Sequence, residues 1–244
     1  MDAMLNVVLP VFGVIFAGYL ARGSRLLGAA SAEALNRFVY YIAVPPLLFL
    51  ATARTPVAMI FNGAFIAVYL LAAALTLALA LAGGRLLFGH RDLATLTVHG
   101  FAAIFANTVY MGIPLFLAAF GEEGTAPILV AALVSNLLFM GVAIVLMEVA
   151  ESAGHGYRRI IRDVTGALAV NPILIPLVAG LLASVVNLSV PEPLARFLEL
   201  LAGAAGPTAL FAMGLSLYGH PLAAGAMEVG WLVLLRLAVN PLMA

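Results

Sequence analysis

Residues 105–116, Phe105-Ala106-Asn107-Thr108-Val109-Tyr110-Met111-Gly112-Ile113-Pro114-Leu115-Phe116, decide how this chain folds: apolar stretches flank them on both sides, yet they cannot run as an unbroken helix. Gly112 weakens a helix, and Pro114 lacks an amide donor while its ring meets the carbonyl of Tyr110. The hydrogen-bond ladder is therefore expected to open between Tyr110 and Gly112. Inside a bilayer, bare backbone is tolerated only where it is buried in protein or lines a water-filled cavity, which is how midplane binding sites are built. Asn107 and Thr108 bring polar side chains to the same break. The plainer reading of these residues is a Pro kink with a packed Asn beside it.

The composition identifies the solvent. Hydrophobic residues make up 65% and charged residues 9%, against roughly 25% charged in a soluble domain; this is an all-α integral membrane protein. Without Cys, disulfides, thiolate metal sites and Cys nucleophiles are excluded. Net charge is zero, and all 11 basic residues are Arg. The run from Met4 to Leu20 has no basic leader and no small-residue cleavage site, so it reads as a helix and not as a signal peptide.

Apolar runs of membrane length place eight spans, at 4–21, 35–52, 62–83, 93–119, 125–147, 164–186, 194–218 and 228–244. Positive residues stay cytoplasmic. With the N-terminus outside, the inner loops and helix ends hold Arg22, Arg25, Arg37, Arg85, Arg91, Arg158, Arg159 and Arg162, and the outer ones hold Arg54 and Arg196. Glu122 and Glu123 then mark an outer turn.

The chain also resembles itself. Val8-Leu9-Pro10 through Ala17-Gly18-Tyr19-Leu20 aligns with Val170-Asn171-Pro172 through Ala179-Gly180-Leu181-Leu182 at an offset of 162, and Pro45-Pro46-Leu47-Leu48-Phe49 falls on Pro207-Thr208-Ala209-Leu210-Phe211 at the same offset. Short Leu/Ala matches arise by chance; shared Pro and Gly positions at one offset favour a repeat. Residues 1–152 would form a first five-helix copy, and residues 160–244 the first three helices of a second. An odd helix number turns the second copy upside down. The same offset puts a partner for the span-four break past residue 244, so about eight of ten spans are expected in this chain and a complete one would hold about 312 residues.

Leu35-Asn36-Arg37-Phe38-Val39-Tyr40-Tyr41-Ile42-Ala43-Val44-Pro45, Asn107-Thr108 with Met111-Gly112-Ile113-Pro114-Leu115, Asn171-Pro172 and Ala212-Met213-Gly214-Leu215-Ser216-Leu217 together resemble the auxin efflux carrier family, which includes the plant PIN carriers and many bacterial transporters. The resemblance covers essentially the whole chain. It implies two inverted five-helix repeats, broken helices 4 and 9 crossing at the substrate site, and helices 1, 2, 6 and 7 as a scaffold. It further implies export or exchange of organic anions, such as indole acetic acid, malate or malonate, by homodimers in a bacterial cytoplasmic membrane. Asn107 matches the crossover Asn that contacts substrate in PIN carriers, and Pro114 matches the crossover Pro. Leu48 departs from the family pattern, standing where plant auxin carriers have a substrate-facing Ser. The third span lacks their Asp and Lys pair, which counts against auxin itself.

The crossover chemistry follows from the residues too. A half-helix starting in mid-membrane offers unpaired amides and a positive dipole end, here expected around Gly112 to Leu115, and these stabilise a carboxylate with no Lys or Arg. The expected substrate residues are Asn107, Thr108, Tyr110, Met111, Gly112, Asn136 and Leu48, with Pro114, Pro45, Pro46 and Pro207 as crossover or hinge positions. Tyr110, Met111 and Asn136 can equally be read as helix packing. Among ionisable residues, Arg236 needs a cavity, a carboxylate or the interface, Glu199 is read as paired with Arg196, and His99 as a hydrogen-bonded packing residue.

Other functions fit poorly. No His-Glu-x-x-His, paired intramembrane Asp or Gly-x-Ser-x-Gly is present, so no enzyme, resident metal or cofactor is expected. The expected partners are a small organic anion and the lipid bilayer, with no nucleic acid. A sodium-coupled carrier of the bile acid type and a non-transporting fragment are the competing readings.

Overall fold

The computed structural model describes residues 2–60, 62–121, 125–151, 161–162, 165–166, 168–219 and 225–243, and the described residues carry helices and connecting turns. Named in chain order, the helices are α1 (Asp2–Gly23), α2 (Ala29–Arg54), α3 (Gly63–Leu86), α4 (Leu93–Ile104), α5 (Ile113–Phe120), α6 (125–151), α7 (Leu174–Val185), α8 (Glu192–Leu217) and α9 (226–243). Four helices among the described residues are long and apolar enough to cross a membrane: Ala29–Arg54, Gly63–Leu86, Ala126–Met147 and Glu192–Leu217. Shorter apolar helices accompany them. The expected outer turn at Glu122 and Glu123 and the expected junction between copies, 152–160, lie outside the described residues.

Two expected spans are interrupted. Span four, read as 93–119, is α4, an extended link at 105–107, and a second helical piece that begins at Thr108. Span six, read as 164–186, breaks at Val170–Ile173 and resumes as α7 at Leu174. Asn171 explains that start: its Oδ1 accepts the amides of Ile173 at 2.8 Å and Leu174 at 3.2 Å, as a helix cap does.

Proline is accommodated by π turns. Val39–Ala43, Thr108–Gly112 and Leu235–Val239 each precede a proline by two or three residues, at Pro45 and Pro46, Pro114 and Pro241. Within an α-helix the proline ring meets the carbonyl four residues earlier, at a cost of about 3 kcal/mol or more. A π turn inserts one residue, so that Val44 donates to the Val39 carbonyl and Asn240 to the Leu235 carbonyl. Pro207 behaves differently from the hinge expected of it, because α8 runs unbroken through it. The residue four positions earlier is Gly203, with open space around it.

The chain divides into two compact units. Unit 1 holds residues 1–61, 107–132 and 171–221, and so contains α1, α2, α5, α7 and α8. A Cβ on Gly18 of α1 would lie 2.1 Å from the Phe211 carbonyl oxygen of α8, and one on Gly214 of α8 would lie 1.9 Å from the Ile15 carbonyl oxygen. On the other pair, a Cβ on Gly180 of α7 would lie 2.5 Å from the Phe49 carbonyl oxygen of α2. Gly18 and Gly180 differ by 162, and so do Phe49 and Phe211. Small residues that admit a neighbouring backbone are the usual means of helix association in lipid.

The contacts also give helix directions within this unit. Ile15 meets Gly214 and Gly23 meets Tyr218, so α1 runs parallel to α8. Gly180 meets Phe49 and the Ser184 hydroxyl donates to the Thr55 carbonyl at 2.8 Å, so α7 runs parallel to α2. Ala32 packs with Leu215 at one end of α2 and Arg54 pairs with Glu199 at the other, which makes α2 and α8 antiparallel. Hence α1 and α7 point in opposite directions.

The Arg54–Glu199 pair replaces the expected Arg196–Glu199 pair. Arg196 instead pairs with Glu192, four residues earlier in the first turn of α8, the favoured order for an acid and a base on one helix. Both pairs are exposed and contribute little.

Unit 2 holds residues 62–106, 133–170 and 222–244. Tyr69 of α3 stacks between Phe65 and Phe139, and its hydroxyl lies 2.9 Å from the Ser135 hydroxyl. The α9 side chain of Asn240 donates to the Thr76 hydroxyl at 3.1 Å, which in turn donates to the Ala72 carbonyl at 2.8 Å.

Replacing Gly214 with Val is expected to destabilise the protein by about 3 kcal/mol, the upper end for over-packing, because the nearest atoms are backbone and cannot swing aside. Gly13→Val, where nothing lies within 4 Å, should be close to neutral. Thermal unfolding of the two variants in detergent micelles measures the difference.

Candidate functional site

The break in span four lies five residues earlier than the sequence suggests. α4 ends at Ile104, and Phe105 is extended, with φ −76° and ψ 106°. Tyr110 to Gly112 are helical, in the π turn 108–112. Pro114 is the second residue of α5, two residues past the π turn, whose extra residue accommodates the amide that proline lacks. The Asn107 backbone carbonyl then takes two amides, from Met111 at 3.3 Å and from Gly112 at 2.9 Å. Gly112 and Met111 amides are thereby consumed. The first amides of the new helix, those of Thr108, Val109 and Tyr110, have no partner inside it. The positive end of the second half-helix thus sits at 108–110, not at Gly112–Leu115 as expected.

Asn107 is exposed and occupies the position before the first helical residue, where Asn is a preferred type. Thr108 and Val109 are buried behind it, and Met111 and Gly112 are partly covered. A Cβ on Gly112 would lie 2.8 Å from the Ile128 side chain, so this turn packs tightly inside unit 1. The π turn also touches α8, and α5 touches α1. Asn107, Thr108, Tyr110, Met111 and Gly112 are therefore gathered on one turn by the chain itself.

The other expected residues are not on that turn. Leu48 is 0% exposed, and its carbonyl accepts the Thr52 hydroxyl at 2.7 Å; it fills the core of unit 1. Pro45 and Pro46 start an α segment after a π turn and line an apolar cleft of about 350 Å³ with Phe49, Pro172 and Pro176. Asn136 belongs to unit 2, buried in the π turn Ser135–Phe139 beside Ser135.

Sequence reasoning left Arg236 without a partner. Its Nη1 donates to the Ala103 carbonyl at 3.1 Å, one residue before the end of α4. A cation there offsets the negative end of the half-helix dipole and occupies one of the carbonyls that the break strands. At the opposite end of α4, the Asp92 carboxylate accepts the Thr95 amide at 2.7 Å, a contact that holds its pKa below the usual range. That cap is present at neutral pH and is lost as pH falls through the lowered pKa.

His99 is hydrogen-bonded, as expected, but to partners that no sequence spacing suggests. Its Nδ1 lies 2.6 Å from Glu228 Oε1, and His90 Nε2 lies 2.8 Å from the same oxygen.

The sequence matches the family model for membrane transport proteins over residues 3–244. It is 33% identical over 246 residues to a Rhizobium meliloti (strain 1021) protein named "Putative malonate transporter", an alignment covering 100% of this chain and 76% of that protein. It is 30% identical over 242 residues to an "Uncharacterized transporter" of Methanothermobacter thermautotrophicus, covering 97% of this chain and 76% of the other.

Arg236→Met should strand the Ala103 carbonyl and cost about 1–3 kcal/mol, the range for an unsatisfied buried group. Arg236→Lys, which keeps a donor, should recover part of that loss. Unfolding midpoints in detergent test the order.

Proposed function

Because the chain belongs to the membrane transport protein family, the family of the auxin efflux carriers, we propose that it is a secondary transporter that exports or exchanges small organic anions, with carboxylates as the substrate class. It is a multi-pass membrane transporter and not an enzyme. The observation that carries the anion reading is the half-helix beginning at Thr108, with exposed Asn107 in front of it. Amides that lack a partner inside the helix, together with its positive dipole end, favour a carboxylate there, and the Asn107 amide group can donate to its oxygen. No Lys exists in the chain, and Arg236 is engaged by the Ala103 carbonyl. An anion at this turn is thus held by hydrogen bonds and dipoles, which bind it without a deep ion-pair trap.

The name of the Rhizobium relative points to malonate, and two carboxylates on one carbon suit a compact polar site. Thr108, Tyr110, Met111 and Gly112 complete the proposed substrate turn, and Pro114 follows it within the same half-helix.

A five-helix copy over 1–152 and an inverted, incomplete second copy of three helices over 160–244 form the proposed framework. The reciprocal seating of Gly18 on Phe211 and Gly180 on Phe49, and the opposed directions of α1 and α7, support it. We place the protein in a bacterial cytoplasmic membrane with the N-terminus outside, from the Arg asymmetry of the loops, and as a homodimer from the family resemblance. Sodium coupling of the bile acid carrier type is the weaker reading, because 105–116 contains no carboxylate.

In proteoliposomes loaded and tested with labelled malonate, malate or indole acetate, Asn107→Ala should weaken substrate binding by about 1–3 kcal/mol, the loss of one hydrogen bond to a charged group. Asn107→Asp should be worse, since it sets a second negative charge against the carboxylate at low dielectric. Unchanged transport by Asn107→Asp would remove this turn as the site, and strict sodium dependence would favour the alternative coupling.

A further inference from the structure

We propose that His90, His99 and Glu228 form a binding site for a divalent transition metal of the zinc class, distinct from the anion turn at 107–112. The three residues come from the turn after α3, from α4 and from the first turn of α9, all within unit 2. One ligand atom from each lies within 4.8 Å of the others, the only such group among the described residues.

The donor set fits the chemistry. Two imidazole nitrogens and one carboxylate oxygen suit zinc, cobalt or nickel ions, and they leave a position open for water or a fourth ligand. Hard cations such as magnesium prefer all-oxygen sites. Ligands of a tetrahedral ion at 2.0–2.2 Å stand about 3.4 Å apart. Glu228 Oε1, at 2.6 Å and 2.8 Å from the two ring nitrogens, needs to withdraw by less than 1 Å to admit the ion between them. The carboxylate is partly exposed and free to make that movement, as is His90. His99, 2% exposed, is the fixed ligand.

Access and tautomer are also set. A cavity of about 490 Å³ reaches His99 and Glu228 past Thr95 and Val98. Phe88 stands beside both imidazoles, with ring centroids 6.3 Å and 5.7 Å away, and limits their rotation. Metal on His99 Nδ1 moves the ring proton to Nε2, which is buried without a partner beside Gly84. That proton is a desolvation cost, so the site binds more weakly than closed four-ligand zinc sites and exchanges its ion. Bound metal ties α9 to α4 and to the turn carrying His90.

The test uses the intact chain carrying a tag without histidine, in detergent micelles, stripped with chelator and titrated with cobalt(II). Expected are one cobalt per chain with visible d–d absorption, displacement by zinc(II), and weakening of at least tenfold in both His90→Ala and Glu228→Gln. Buried His99 is a poor test position, since its loss disturbs packing; the two partly exposed ligands carry the experiment. The chain's other two histidines, His155 and His220, provide the control, and the double variant His155→Ala/His220→Ala should bind cobalt as tightly as the parent. Absence of stoichiometric binding, or affinity unchanged in His90→Ala and Glu228→Gln, overturns the proposal and leaves the cluster as a hydrogen-bonded contact.

Discussion

Every backbone amide and carbonyl in a bilayer needs a partner, and this chain, with prolines inside its apolar helices, meets that requirement by local devices. π turns ahead of Pro45, Pro114 and Pro241 add the residue that lets the ladder skip the missing donor. Where the ladder stops altogether, at 105–107, the Asn107 carbonyl takes two amides and Arg236 takes the Ala103 carbonyl. What remains unpaired by the helix is the set of amides at 108–110, and that remainder is the anion chemistry proposed here. One constraint thus produces the kinks and the turn proposed as the site.

The same solvent sets how the helices of unit 1 hold together. Lipid gives no hydrophobic reward for bringing two helices into contact, so association rests on close van der Waals approach. Gly18, Gly180 and Gly214 each let a neighbouring carbonyl sit where a Cβ would be. The half-helix carrying Asn107 packs on this framework through α1 and α8, so the proposed substrate turn is presented from a rigid base.

The sequence by itself determined the solvent, the helical class and the existence of a break near Asn107, because composition and proline chemistry act locally. It also located the pairs at an offset of 162 that prove to be packing positions, Gly18 with Gly180 and Phe49 with Phe211. It misplaced the break by five residues. A proline can end a ladder or begin a helix, and the choice depends on whether the preceding carbonyls find other donors. Here Gly112 and Met111 donate to Asn107, the helix restarts at Thr108, and Pro114 is carried inside it behind the π turn.

Only the tertiary structure decided the long-range pairs. Arg54 with Glu199, Arg236 with Ala103, and Glu228 with His90 and His99 join residues more than a hundred positions apart, and no periodicity encodes them. Helix spacing rules reach three or four residues, which is why Arg196 seemed the natural partner of Glu199. A charged side chain on a membrane helix takes the polar group that packing brings to it, and that identity is fixed by how the helices cross.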